Sequence, residues 1–128
     1  MFSLNIEQSK ALEVGIDVHK LPAGTTVLVI TKNNLYKLVK AAERKHVIAQ
    51  GGKYLLEPTE VVFTGSTFGG SMLKIGWIGY GMLMEMFLLD QNKRIKTSPV
   101  NAARVIGDGW EYDLDWANMG TAKVIRET

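Results

Sequence analysis

Three features of this 128-residue chain could do chemistry: a run of small residues, two histidines and a few clustered charges. The small-residue run is Gly65-Ser66-Thr67-Phe68-Gly69-Gly70-Ser71. Backbone N–H groups flanked by such residues can approach an anion closely. Gly65, Ser66, Thr67, Gly69, Gly70 and Ser71 are therefore the candidate ligand-binding residues. The run has the outline of a phosphate loop, but Ser71 and Met72 stand where that motif needs Lys and Ser/Thr. It also feeds a strand-like segment and not a helix. The nucleotide reading fails on both counts, and a bulged connection between strands is the plainer one.

His19 and His46 are the only histidines. Zinc needs at least three protein ligands, and neither histidine has Asp, Glu or His at ligand spacing. Distant help from Asp17 or Glu57 is conceivable, but nothing in the spacing argues for it. Glu85, between Met84 and Met86, is a carboxylate in apolar company. Such a group can be held protonated and act as a general acid, but an ion pair with Lys74 is the simpler fate. Glu111, Asp113 and Asp115 share one strand face without the Gly and terminal Glu of a calcium loop. No nucleophile elbow is present. The expectation is no catalytic residue, no metal and no cofactor.

Residues 32–53 carry Lys32, Lys37, Lys40, Arg44, Lys45 and Lys53 against Glu43 alone, a net of +5. Residues 108–128 carry Asp108, Glu111, Asp113, Asp115 and Glu127 against Lys123 and Arg126, a net of −3. Lysines tracking phosphates beside a stacking aromatic would suit a single-strand nucleic-acid binder, through Lys32, Tyr36, Lys37, Lys40, Arg44 and Lys45. Against it, the whole chain is only +2 and shows no nucleic-acid motif. A solvated basic face explains the same residues, and opposite charge at the two ends can also steer self-association.

Length predicts a single domain over residues 1–128. There is no cysteine, so disulfides and thiolate metal sites are excluded. The opening residues lack a secretory pattern, which makes the cytoplasm the default. The longest apolar run, residues 75–84, falls short of the ~18 residues of a membrane helix, so no membrane partner is expected.

These side chains must be held by strands. Residues 72–89, MLKIGWIGYGMLMEMFLL, read as a hairpin turning at Gly79-Tyr80. That register sets Trp77 against Met82, Ile75 against Met84, Leu73 against Met86, and Lys74 against Glu85. One face is then apolar throughout and must be covered. Around it, residues 25–31, 46–50, 54–56, 61–64 and 94–100 read as further short strands, and 102–106 as another short strand or a turn of helix, closed by Gly107-Asp108-Gly109. The run 25–31 is expected to be buried on both faces. Residues 35–45 have a helical stripe but sit between strands, and a strand at 34–40 with a turn through 41–45 is favoured. A short helix is expected within 3–14, capped by Asn5. Residues 110–116 alternate aromatic or Leu with acid, a strand with one wet face. A loop at Asn118-Met119-Gly120 would set Asp115 opposite Lys123 and Leu114 opposite Val124.

The fold class is therefore mainly β: a small antiparallel barrel or sandwich of about eight short strands, with one short helix at most. The function expected of it is a non-enzymatic binding or self-assembly module, with a homo-oligomer or a protein as partner. Single-stranded nucleic acid is the alternative. A small-ligand carrier or enzyme with a pocket near the Gly65–Ser71 loop is the third.

Overall fold

The structure, a computed structural model, describes residues 6–69, 72–115 and 121–127. A short helix α1 (Ile6–Glu13) leads into β1 (Gly15–Asp17) and a single 3-10 turn over Val18–Lys20. Ten more strands follow: β2 (Thr26–Thr31), β3 (Leu35–Lys40), β4 (His46–Gly51), β5 (Leu55–Gly69), β6 (Met72–Ile75), β7 (Trp77–Gly79), β8 (Leu83–Leu88), β9 (Lys93–Gly107), β10 (Trp110–Asp115) and β11 (Thr121–Glu127). Every pairing between them is antiparallel.

The ladders close on themselves. β2 pairs with β3, β3 with β4 and β4 with β5. β8 joins β5 to β9, and β9 returns to β2. Six strands thus form a ring with no open edge, the arrangement that removes free edges from a small β protein. Alternation along each strand fills the inside. Val27, Val29, Leu38, Val47, Ala49, Val61, Phe63, Met84, Met86, Leu88 and Val105 point inward and are buried. At roughly 1.5–3 kcal/mol per fully buried large side chain, this interior is the main source of stability. Outside the ring, β10 and β11 extend the sheet from β9, β6 extends it from β5, and β1 pairs with β7 as a separate ribbon.

β3 is a strand with its turn over 41–45, which settles the ambiguous segment. The β2 expectation is corrected on its second face: Val27, Val29 and Thr31 are buried, but Thr26 and Leu28 are half-buried and Ile30 is exposed. The strands are also fewer and longer than expected over 54–69 and 94–106. β5 and β9 each run for 15 residues, straight through Pro58 and beyond Pro99. Each proline sits beside a register shift, where the ladder makes no demand for its missing N–H.

The hairpin expected over 72–89 does not form. β6 pairs with β5 on one side, β8 pairs with β5 on the other, and β7 turns away to β1. Gly76 and Gly81 are the cause, with φ of +72° and +75° that break the strand on either side of the expected turn. Lys74 consequently misses Glu85. Its amine donates to the Leu12 carbonyl at the end of α1 and lies 3.8 Å from the centre of the Trp77 ring. Trp77 Nε1 donates to the Ala11 carbonyl at 2.7 Å. The two side chains together satisfy carbonyls that the helix end leaves open. Met82, Met84 and Met86 are buried as expected, but Leu73 and Ile75 face outward.

β10 forms as the alternation implies, but its pairing with β11 is shifted from the expected one. Asp113, not Asp115, stands opposite Lys123, and Tyr112 stands opposite Val124. Asn5 and the turn residues Asn118-Met119-Gly120 lie outside the described residues.

Candidate binding surface

The small-residue run is strand, not loop, up to Gly69. Gly65 has φ +151°, and a Cβ there would lie 2.2 Å from the Lys74 carbonyl oxygen. Its bareness lets β6 approach β5. Ser66 and Thr67 are buried. The Ser66 hydroxyl donates to the Trp77 carbonyl. The Thr67 hydroxyl donates to the Met72 carbonyl and accepts from the Gly69 N–H at 2.8 Å. The Ser66 hydroxyl thus ties β5 to β7, and the Thr67 hydroxyl holds the β5–β6 connection. Gly70 and Ser71 lie outside the described residues.

The basic candidates split between two faces. Lys32, Lys37, Arg44 and Lys45 are exposed, but Tyr36 and Lys40 point into the ring and are buried. The Lys40 amine donates to the carbonyls of Ala41 and Glu43, both at 2.9 Å, and so ties down the 41–45 turn. Burial pushes the Tyr36 phenol above its ordinary value, a hydrogen bond with Asn34 opposing it. The six residues therefore present no common surface.

His19 is buried on the 3-10 turn, where Nε2 donates to the Phe63 carbonyl at 2.6 Å and the ring meets Phe63 edge-on. Asp17, two residues earlier, has one oxygen 3.7 Å from Lys20 Nζ. Its other oxygen, Oδ1, is buried with no hydrogen-bond partner among the described residues. His46 lies between two carboxylates, with Nδ1 2.6 Å from Glu60 and Nε2 3.1 Å from Glu43. Among the described residues no three His, Asp or Glu side chains gather in a way that could hold a metal. Glu85 is buried beside Arg94, at 3.6 Å, in place of the expected Lys74.

The tail strand supplies what the sequence reading missed. Asp113 takes a two-pronged hydrogen bond from Arg104, at 2.7 and 3.1 Å. That bond, with the negative charge of Asp113 and a smaller contribution from Glu111, holds the guanidinium charged beyond its ordinary range. The pair forms one wall of a groove of about 470 Å³ on the outside of the ring. Its other walls are Leu28, Ile30, Leu35 and Ala102. The unbroken apolar run of β2 puts Leu28 and Ile30 on the face opposite Val27 and Val29, and read alone it gives no sign that this second face is open. Only the β2–β9 and β9–β10 pairings, which join the two ends of the chain, show that Arg104 and Asp113 border it. No family model, curated protein or solved structure matches the chain.

Proposed function

We propose that this chain is a non-enzymatic β-barrel module that works by binding, with the groove between β2, β3, β9 and β10 as its contact surface. One observation carries the reading. The hydroxyls of Ser66 and Thr67, the amine of Lys40 and Nε2 of His19 are tied to backbone carbonyls, while Ile30 and Leu35 stand half open to water beside the groove. Apolar side chains around a concavity with one fixed polar pair are the usual make-up of a binding site. A fitting partner has an apolar body and one polar group for the Arg104–Asp113 pair, and a second copy of the chain or another protein can supply both.

The test is sedimentation equilibrium together with amide NMR during titration of an anilinonaphthalene sulfonate dye. The expected result is self-association, or dye-induced shifts at Leu28, Ile30, Leu35, Ala102 and Arg104, either one abolished by Ile30→Asp. A chain that stays monomeric at high concentration and shows no shift at these residues would overturn the reading.

A further inference from the structure

The strands of the ring alternate in direction, so the β2–β3, β4–β5 and β8–β9 turns all leave it at one end. Close contacts join the turns at that end. Lys93 Nζ lies 3.7 Å from the centre of the Tyr54 ring, and Lys53 Nζ lies 5.0 Å from it. Gly51 and Gly52 back onto Leu35 and Tyr36. Large apolar side chains stand out into water there: Leu56 is 76% exposed, Leu89 50% and Tyr54 48%. Among the described residues, the turns at the opposite end, over 22–25, 41–45 and 108–109, carry no exposed large apolar side chain, although the β5–β8 connection that also leaves there exposes Leu73, Ile75 and Tyr80.

The same end is basic. Lys32, Lys53, Lys93 and Arg94 stand there against Glu57 and Asp90, with Arg94 also reaching Glu85. Convex apolar tips interleaved with cations are the pattern that binds a lipid interface, where apolar area and attraction to anionic headgroups add. Tyrosine at such a boundary sits at headgroup depth. A nucleic acid would have no use for the two leucines, and the Tyr54 face on which a base would stack is covered by Lys93. No helix among the described residues is long and apolar enough to cross a membrane, and docking on a surface needs none.

We propose that this end of the ring docks peripherally on an anionic lipid bilayer, with Leu56 and Leu89 entering the interface and Lys53, Lys93 and Arg94 meeting lipid phosphates. The proposal goes beyond the groove reading and does not depend on it.

The test is co-sedimentation of the full chain with vesicles of phosphatidylcholine alone or with about a third phosphatidylserine, at low and physiological salt. Binding is expected only to the mixed vesicles, weakening as salt rises. Lys53→Glu with Lys93→Glu, and separately Leu56→Ser with Leu89→Ser, should each weaken partitioning by about tenfold or more. Arg44→Glu with Lys45→Glu, at the opposite end, should leave it within about twofold. The proposal is overturned by no binding to the mixed vesicles. It is equally overturned by the Arg44/Lys45 variant losing as much as the Lys53/Lys93 one, or by a single-stranded oligonucleotide displacing the chain from vesicles.

Discussion

Gly76 shows how much a single side chain can decide. Its φ of +72° turns the chain out of β6 and into β7, and a Cβ there would lie 2.8 Å from His19 Nδ1. Alanine at this position meets two obstacles, a backbone region L side chains avoid and an imidazole already fixed to Phe63. Gly76→Ala should therefore lower stability by at least about 1–3 kcal/mol, read from urea unfolding. A midpoint unchanged from wild type would show that the bend is not strained. A second residue-scale expectation concerns alkali. Burial raises the phenols of Tyr36 and Tyr112 above the ordinary 10.0, so the folded chain favours their protonated form. Below pH 10 both folded and unfolded chains hold these protons, and the contribution is fully present. As pH rises past 10.0 the unfolded chain loses them first, and stability falls until the folded phenols ionise as well. Tyr36→Phe with Tyr112→Phe should flatten that alkaline decline; identical slopes in variant and wild type would refute it.

At the scale of elements, β8 is the strand that makes a ring out of a sheet. Both its edges are bonded, to β5 and to β9. β6 has only β5. Native-state hydrogen exchange should therefore protect the amides of Met84 to Leu88 near the level of global unfolding, and those of Met72 to Ile75 clearly less. Equal protection of the two strands would argue against this division. The contrast also shows which elements the sequence makes legible. β2, β4 and β10 announce themselves through β-branched runs or strict alternation bounded by turn residues, and all are found; β3, with its helical stripe, is legible only from the strands on either side of it. The methionines of β8 were also readable as core, because alternation depends only on the strand itself. Their partners were not readable. Gly79-Tyr80 has good turn chemistry, and Lys74 faces Glu85 in the register it implies, yet β5 captures both segments on opposite edges. Two positive-φ glycines outweigh one favourable turn and one exposed ion pair, which contributes about 0–1 kcal/mol. The candidate site fared in the same way. Ser66 and Thr67 looked free because the strand edge they bind, Met72 to Trp77, was assigned elsewhere. Arg104 and Asp113 are not legible as a pair, because Asp108-Gly109 reads as well for the end of a segment as for the turn that returns β10 on β9.

The whole molecule is governed by the fact that its ring shuts between segments near opposite ends of the chain. The β2–β9 ladder joins Val29 to Ala103 and Val27 to Val105, whereas β2–β3, β3–β4 and β4–β5 join neighbours in sequence. Non-local pairing cannot repay its loop-closure entropy until much of the rest is in place. Folding should accordingly take milliseconds to seconds, with the meander from β2 to β5 structured before the ring shuts. The two sets of contacts then respond differently to truncation. Leu38→Ala, inside the meander, should slow folding by most of its loss of stability, which is about 2–5 kcal/mol for a buried leucine. Val105→Ala, on the closing ladder, should leave the folding rate close to wild type and speed unfolding instead. Stopped-flow chevrons on the two variants decide it. If Val105→Ala slows folding in proportion to the stability it removes, closure is part of the nucleus, and the ring forms as one event instead of by addition of β8 and β9 to a finished meander.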